Sequence, residues 1–321
     1  VVFAIAPDDV VSASKLLDGV AHRTPLLESR RLNEQLGGRV LLKAENMQRT
    51  GSFKFRGGYN AVANLSDAEK EAGVVAFSSG NHAQGVALGA RLHGASAKIV
   101  MPTDAPANKV AATKGYGAEV ITYDRYRESR EVIGAELSSR EGRALIKPYD
   151  DPFVMAGQGT TMHEALTDAP EIDTIVVCLG GGGLLSGSAT IARHLDPEIA
   201  IYGVEPAAGD DHVKSRAAGQ RVTIDVPVTI ADGQQTTAPG ELTWPINNEL
   251  ATDFLAVTDE EIVRTMRFLF DQFKVVAEPS GASALAAIIH GRVPVEGRVV
   301  AVTISGGNIS TDRFAQLFAK G

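Results

Sequence analysis

A chain of 321 residues, 44% hydrophobic and 22% charged, can bury a sizeable core and is long enough for two lobes. Its net charge of −8 excludes nucleic acid as the main partner, because phosphate binding needs a basic stripe that displaces counterions. No apolar run reaches the roughly 18 to 20 residues that cross a bilayer, and no leader-like segment opens the chain, so the cytoplasm is the expected compartment.

Along the chain, helical periodicity alternates with short β-branched runs. The pattern predicts a helix over 8–20, a strand over 40–44, a helix over 55–65 and a strand over 74–77. It continues with a helix at 84–92, a strand at 97–101, a helix at 108–115, a strand at 119–122 and a helix at 127–140. Further strands are predicted over 174–179, 199–204 and 298–304, and a long helix over 260–273. Such alternation implies an α/β fold with parallel sheets covered by helices. Residues 73–144 read as a strand–helix set of their own. A small inserted domain (73–144) is expected within a larger one (1–72 plus 145–321), with a ligand cleft between them.

The 33 glycines gather in short clusters after apolar runs, the way chains bring backbone N–H groups close to an anion, and they point to a phosphorylated small molecule. The single cysteine, Cys178, lies in the apolar run TIVVCL and reads as a buried core thiol.

Four motifs carry chemistry. In the first, Thr50-Gly-Ser-Phe-Lys-Phe-Arg-Gly-Gly58, Lys54 stands at a helix start. The positive end of the dipole and partial burial there lower its proton affinity, and a neutral amine attacks carbonyls. The second, Phe77-Ser-Ser-Gly-Asn-His-Ala-Gln-Gly85, ends a strand in a small-residue turn, so that amides and the hydroxyls of Ser78 and Ser79 form a cradle for a carboxylate. His82 within it reads either as a general base or as a structural residue of the helix start. In the third, Leu179-Gly-Gly-Gly-Gly-Leu-Leu185, the backbone can wrap a phosphate; it is neither a dinucleotide fingerprint nor a P-loop. The fourth, Thr303-Ile-Ser-Gly-Gly-Asn308, closes another strand with Ser305.

Together GSFKFRGG, SSGNHAQG, GGGGLLSG and SGGN resemble the fold-type II pyridoxal-phosphate (PLP) enzymes, in the threonine/serine dehydratase and serine racemase branch, which includes 3-hydroxyaspartate dehydratases. The resemblance implies Lys54 as the Schiff-base lysine, Phe53 against the cofactor ring and Asn81 on its 3-hydroxyl. It also implies Gly180, Gly181, Gly182, Gly183 and Leu184 around the phosphate, and Ser305 facing the ring nitrogen. The implied activity is α,β-elimination from a small β-hydroxy-α-amino acid, giving a 2-oxo acid and ammonia. Ser79 stands where serine racemases carry the acid/base opposite the lysine, so racemisation is the alternative; a carboxylate-binding role is the other reading of this serine.

The resemblance further implies Mg²⁺, Ca²⁺ or Mn²⁺ on Glu205, the Gly209 carbonyl and Asp211, although an acidic solvated turn is the other reading of that run. Lys147 replaces a histidine usual in small dehydratases and, with Arg130, is expected to bind a second carboxylate, as in 3-hydroxyaspartate; otherwise it is a surface lysine. Thr236 lies in a stretch that contacts substrate in relatives. A homodimer is expected, with ATP binding left open. The chain's end soon after SGGN implies no regulatory domain and no isoleucine feedback.

Overall fold

The computed structural model describes residues 2–319; residue 1 and residues 320 and 321, the outer ends of the expected larger domain, lie outside the described residues. Ten strands are found there. They are β1 (Leu26–Glu28), β2 (Arg39–Lys43), β3 (Val74–Phe77), β4 (Ala97–Pro102) and β5 (Glu119–Tyr123). The chain continues with β6 (Ala144–Ile146), β7 (Thr174–Cys178), β8 (Ala200–Pro206), β9 (Asp253–Val257) and β10 (Val299–Thr303). They form a six-stranded sheet of order β1-β2-β10-β7-β8-β9 and a four-stranded sheet of order β5-β4-β3-β6.

Every pairing is parallel except β1 with β2. In the large sheet Val302 pairs with Leu42 on one side and Val176 on the other, while in the small one Ala76 pairs with Ile99 and Ile146. Parallel strands buried on both faces read as unbroken apolar runs, and β3 and β7 are buried at every residue. Each fully buried Val, Leu or Ile contributes roughly 1.5 to 3 kcal/mol, so these central strands anchor their sheets.

The predicted strands and helices all occur, with shifted ends. The short edge strand β1, the three-residue β6 and β9 were not predicted, because none carries a long apolar run. β6 begins at Ala144, so the expected domain boundary after that residue would cut a strand of the small sheet. The long helix expected over 260–273 is α-helical only over Asp259–Phe268, after a Thr258–Glu261 capping box, and ends in a π-helical turn, Leu269–Phe273.

Helix Pro152–Asp168 starts where the Asp151 side chain accepts the Val154 N–H at 3.0 Å, with Pro152 at its first position. It packs on helices Lys54–Ala63 and Gly183–Leu195, and Lys54–Ala63 in turn packs on Asn81–Leu92. This stack of helices links the two sheets and holds the lysine turn and the glycine loop at one cleft. No helix of the described residues is long and apolar enough to cross a membrane.

Candidate active site

The cleft is lined by the ends of β3, β7 and β10 and by the loops that follow them. The small sheet and its helices contribute Phe77, Ser78, Ser79, Asn81, His82, Lys109 and Arg130; the large sheet and its loops contribute Gly180 to Leu184, Asp232 to Thr236, Glu278, Ser280 and Ser305. Phe53, Lys54, Pro148, Tyr149 and Cys178 complete the wall.

Lys54 opens helix Lys54–Ala63 and is held from two directions. In front, Phe53 N–H donates to the Ser305 carbonyl at 3.1 Å, Ser52 bridges to Gly306, and Asn308 Nδ2 donates to the Thr50 carbonyl at 2.7 Å. These bonds stitch the lysine turn to the SGGN loop, so motifs some 250 positions apart in the sequence become one wall. Behind, Arg56 is fully buried and pairs with Glu45 at 2.8 Å and Glu164 at 2.7 Å, while Lys43 pairs with Glu164 at 2.6 Å. Two cations and two carboxylates, with every N–H of Arg56 given an acceptor, form a rigid brace two residues from Lys54.

The Lys54 Nζ donates to the Pro148 carbonyl at 2.6 Å and lies 5.1 Å from the Phe53 ring centroid. Among the described residues no carboxylate faces it. Burial pushes its pKa down to about 8, and the positive Arg130 acts in the same direction. Near neutral pH roughly a tenth of this amine is uncharged, far more than of an ordinary lysine, as a nucleophile or base requires.

In the serine turn, Ser78 Oγ accepts the Gly80 N–H at 3.0 Å, and helix Asn81–Leu92 begins at once. The Ser79 hydroxyl lines the cleft without a hydrogen-bond partner among the described residues. His82 is buried and its Nε2 donates to the Ile146 carbonyl at 3.1 Å. Burial, reinforced by the charge on Lys54, drops its pKa to about 3, so it is a neutral structural imidazole and a poor base. Asn81 spends one Nδ2 hydrogen on Glu278 and accepts from Asn308 Nδ2 at 2.9 Å, which leaves a single N–H for a ligand.

In the glycine loop, none of the amides of Gly180 to Gly183 donates to a protein acceptor among the described residues. They precede helix Gly183–Leu195, whose dipole adds to their pull on an anion. Gly182 has φ 98°, open to glycine at no cost, and the loop is braced from behind by Thr243 Oγ1 on the Gly181 carbonyl at 2.7 Å and Asn247 Nδ2 on the Gly182 carbonyl at 3.1 Å. Ser305 is buried and its hydroxyl donates to the Ser280 carbonyl at 3.3 Å.

The expected substrate residues divide. Arg130 lines the cleft, its guanidinium 5.4 Å from the Phe77 ring centroid and its Nε donating to Glu131 at 2.8 Å. Thr236 lines it too, with Oγ1 3.5 Å from Asp211. Lys147 does not: it is exposed, and it is the carbonyl of the next residue, Pro148, that turns inward to Lys54. Sequence reasoning missed Tyr149, Lys109, Asp232 and Glu278, which lie outside the glycine-rich motifs. It took Cys178 for core alone, whereas this buried thiol also forms part of the cleft wall.

A second site lies below Thr236. Glu205, Asp211 and His212 are fully buried with ligand atoms within 4.8 Å of one another. Glu205 accepts the N–H groups of His212 and Val213, each at 3.1 Å, and burial raises it to about 8. Asp211 is also raised to about 8, by burial and then by Glu205, and its Oδ2 has no hydrogen-bond donor among the described residues. Gly209 is buried in the short turn between these acids. Of the side chains gathered here, His212 was not anticipated.

The geometry suits PLP. Four amides free to donate to a phosphate, an amine of lowered pKa and a buried hydroxyl all line one cleft. Comparison with known proteins agrees. The pyridoxal-phosphate dependent enzyme family matches residues 17–306. The chain is 50% identical over 309 residues to an L-threo-3-hydroxyaspartate ammonia-lyase from a Pseudomonas species, covering 96% of this chain and 97% of that one. It is 47% identical over 313 residues to serine racemase of Schizosaccharomyces pombe, covering 98% and 97%. The structure of maize serine racemase superposes with a TM-score of 0.94 at 38% identity, over 99% of this chain and 98% of that one. A lysine of lowered pKa in one cleft with a bare glycine cradle, and full-length likeness to enzymes of this chemistry, place the chain in the pyridoxal-phosphate dependent enzyme family.

Proposed function

We propose that the chain is a dehydratase (ammonia-lyase) that converts a small β-hydroxy-α-amino acid to a 2-oxo acid and ammonia, with 3-hydroxyaspartate preferred over L-serine and L-threonine. Arg130 carries the choice of substrate. Its Nε is taken by Glu131, but its two terminal nitrogens have no acceptor among the described residues. The other cations of the cleft are committed, Lys54 to chemistry and Lys109 to Asp232 and Glu278. A free guanidinium fork fits a second carboxylate in bidentate fashion. The Pseudomonas relative, named for 3-hydroxyaspartate, supports the same choice.

Bound PLP supplies a conjugated ring that withdraws electrons from the bonds at Cα. This chain's residues do the remainder. The amides of Gly180 to Gly183 would hold the phosphate, Phe53 and Ser305 the ring, and Lys54 the reactive carbon. The Ser78 and Ser79 hydroxyls and the amides that open helix Asn81–Leu92 bind the α-carboxylate and fix the angle of the Cα–H bond. The neutral Lys54 Nζ takes the Cα proton, the ammonium so formed returns it to the β-hydroxyl, which departs as water, and the enamine product hydrolyses to oxo acid and ammonia. A second reading, racemisation, draws support from Ser79, whose free hydroxyl could return a proton to Cα from the other side. For the buried acids we propose Mg²⁺ (or Ca²⁺ or Mn²⁺) on Glu205, Asp211 and the Gly209 carbonyl. The orphaned Asp211 oxygen and the two raised carboxyls support it, because a divalent cation relieves both.

The test is to incubate the holoenzyme with both diastereomers of 3-hydroxyaspartate, L-serine and L-threonine, following oxo acid and the enantiomer of the remaining substrate. The kcat/KM preference for 3-hydroxyaspartate is expected to fall about 100-fold in Arg130→Met, the effect of a lost charged bidentate contact. An unchanged preference refutes the substrate assignment. Inverted substrate with little oxo acid makes the racemase reading the right one. EDTA that leaves the melting temperature unmoved removes the metal.

A further inference from the structure

Tyr149 stands in a short turn that is fixed at both ends. Its predecessor's carbonyl, on Pro148, accepts from Lys54 Nζ at 2.6 Å and from Gln158 Nε2 at 3.4 Å, and its successor, Asp150, accepts the Leu242 N–H at 2.7 Å. The ring between these pins lies directly on the glycine loop. A Cβ on Gly181 would meet three of its ring carbons at 2.3 to 2.4 Å, and a Cβ on Gly183 would meet its backbone at 2.9 Å. Amides alone suffice to bind phosphate, and of the four glycines only Gly182 has a left-handed backbone. Gly181 is therefore glycine for the sake of Tyr149.

The phenol lines the same cleft as Arg130, and its hydroxyl makes no hydrogen bond to the described residues. Burial holds it in the protonated, donating form, against the opposing pull of the nearby guanidinium. A neutral donor and a cation within electrostatic reach of each other in one cleft form a recognition pair for an anionic oxygen.

We propose that Tyr149 is a specificity-determining residue: its hydroxyl donates to the substrate's distal carboxylate beside Arg130, and Gly181 lacks a side chain so that the ring can reach it. This rests on the assignment of a 3-hydroxy dicarboxylic amino acid as substrate.

Holoenzymes carrying Tyr149→Phe, Arg130→Met, Gly181→Ala or Gly181→Ala with Tyr149→Ala separate the possibilities, with kcat and KM measured on 3-hydroxyaspartate and L-serine and PLP affinity by absorbance titration. Tyr149→Phe is expected to keep its PLP affinity and to lose about tenfold or more of the preference for 3-hydroxyaspartate, chiefly through KM, as for one hydrogen bond to a charged group. Gly181→Ala is expected to lower PLP affinity, and removing the ring in the double variant to recover it. If Arg130→Met removes the preference and Tyr149→Phe does not, the role of Tyr149 is refuted while the substrate assignment survives. If neither variant changes the preference, both fall. A loss in Tyr149→Phe confined to PLP affinity would make the phenol a phosphate ligand and overturn the inference, as would a Gly181→Ala defect that persists without the ring.

Discussion

Lys54 and Lys109 line one cleft, and burial disfavours the charge on both. Lys54 meets a backbone carbonyl and, further off, a like charge, and its pKa falls to about 8. Lys109 meets Asp232 at 2.7 Å and Glu278 at 3.1 Å, and it binds its proton more tightly than an ordinary lysine. Burial is thus common to the two, and the partner decides the sign. A buried amine with no acid beside it is equipped for chemistry. One with two acids is a strut, here tying helix Ala107–Gly115 of the small sheet's layer to the Asp232 turn and to Glu278 at the head of helix Pro279–Ile289.

The largest expected effect follows from removing the reactive amine. Lys54→Ala should lower turnover by roughly 1,000-fold or more and abolish the visible absorbance band of the holoenzyme, because both Schiff-base attachment and Cα proton removal are lost. Retention of the band and of turnover would show that another amine does the work.

Lys109→Met should instead act on stability. It leaves Glu278 and Asp232 near each other without their cation, and breaking a buried pair from one side costs about 3 to 5 kcal/mol, readable by urea denaturation. Adding Glu278→Gln keeps an acceptor for Asn81 while removing a charge, so it should recover a good part of the loss. A Lys109→Met protein as stable as the parent would mean the strut bears nothing, and the contrast between the lysines would fail.

The third effect is on pH. Only neutral Lys54 can capture PLP, so the capture rate of the apoprotein should climb about tenfold per pH unit below about 8 and level off above it. Lys109 keeps its proton throughout that window. A rate still rising steeply at pH 10 would return Lys54 to the ordinary lysine value of about 10.4.

How far this contrast could be read from the sequence depends on how local each half is. Lys54, its glycine turn and the four-glycine loop are short contiguous segments whose backbone preferences announce a ligand, and the strands of both sheets were legible as apolar runs. Lys109 sits in an ordinary helical stretch, and its acids lie more than 120 positions away, so nothing near it distinguishes a strut from a solvated lysine. Tyr149 was hidden for the same reason, since its partner Gly181 reads as part of a phosphate loop. Lys147 misled because charge was visible and direction was not: after Ile146 ends β6 the chain turns, and the lysine faces solvent while Pro148 and Tyr149 face the cleft. In the buried acid cluster Glu205 and Asp211 were legible as spaced oxygens, but burial, which turns them from a wet acidic turn into a mutually repelling pair, belongs to the tertiary structure.

The smallest expected effect tests the finer part of the comparison. Among the influences on Lys54, burial is the largest and Arg130 a minor one that acts in the same direction. Replacing the guanidinium by an uncharged side chain of similar length, as in Arg130→Met, removes a like charge but leaves the enclosure of Lys54 intact, so the midpoint of the PLP-capture profile should move upward by only a fraction of a unit. The sign is fixed by electrostatics, because the ammonium form gains when a neighbouring cation leaves. Since capture of PLP needs no amino-acid substrate, this shift is independent of what Arg130 does for substrate choice. A downward shift would mean that the guanidinium, through Glu131, orders groups that favour the charged lysine. A shift of a full unit or more would make Arg130, rather than burial, the principal reason that this lysine differs from Lys109.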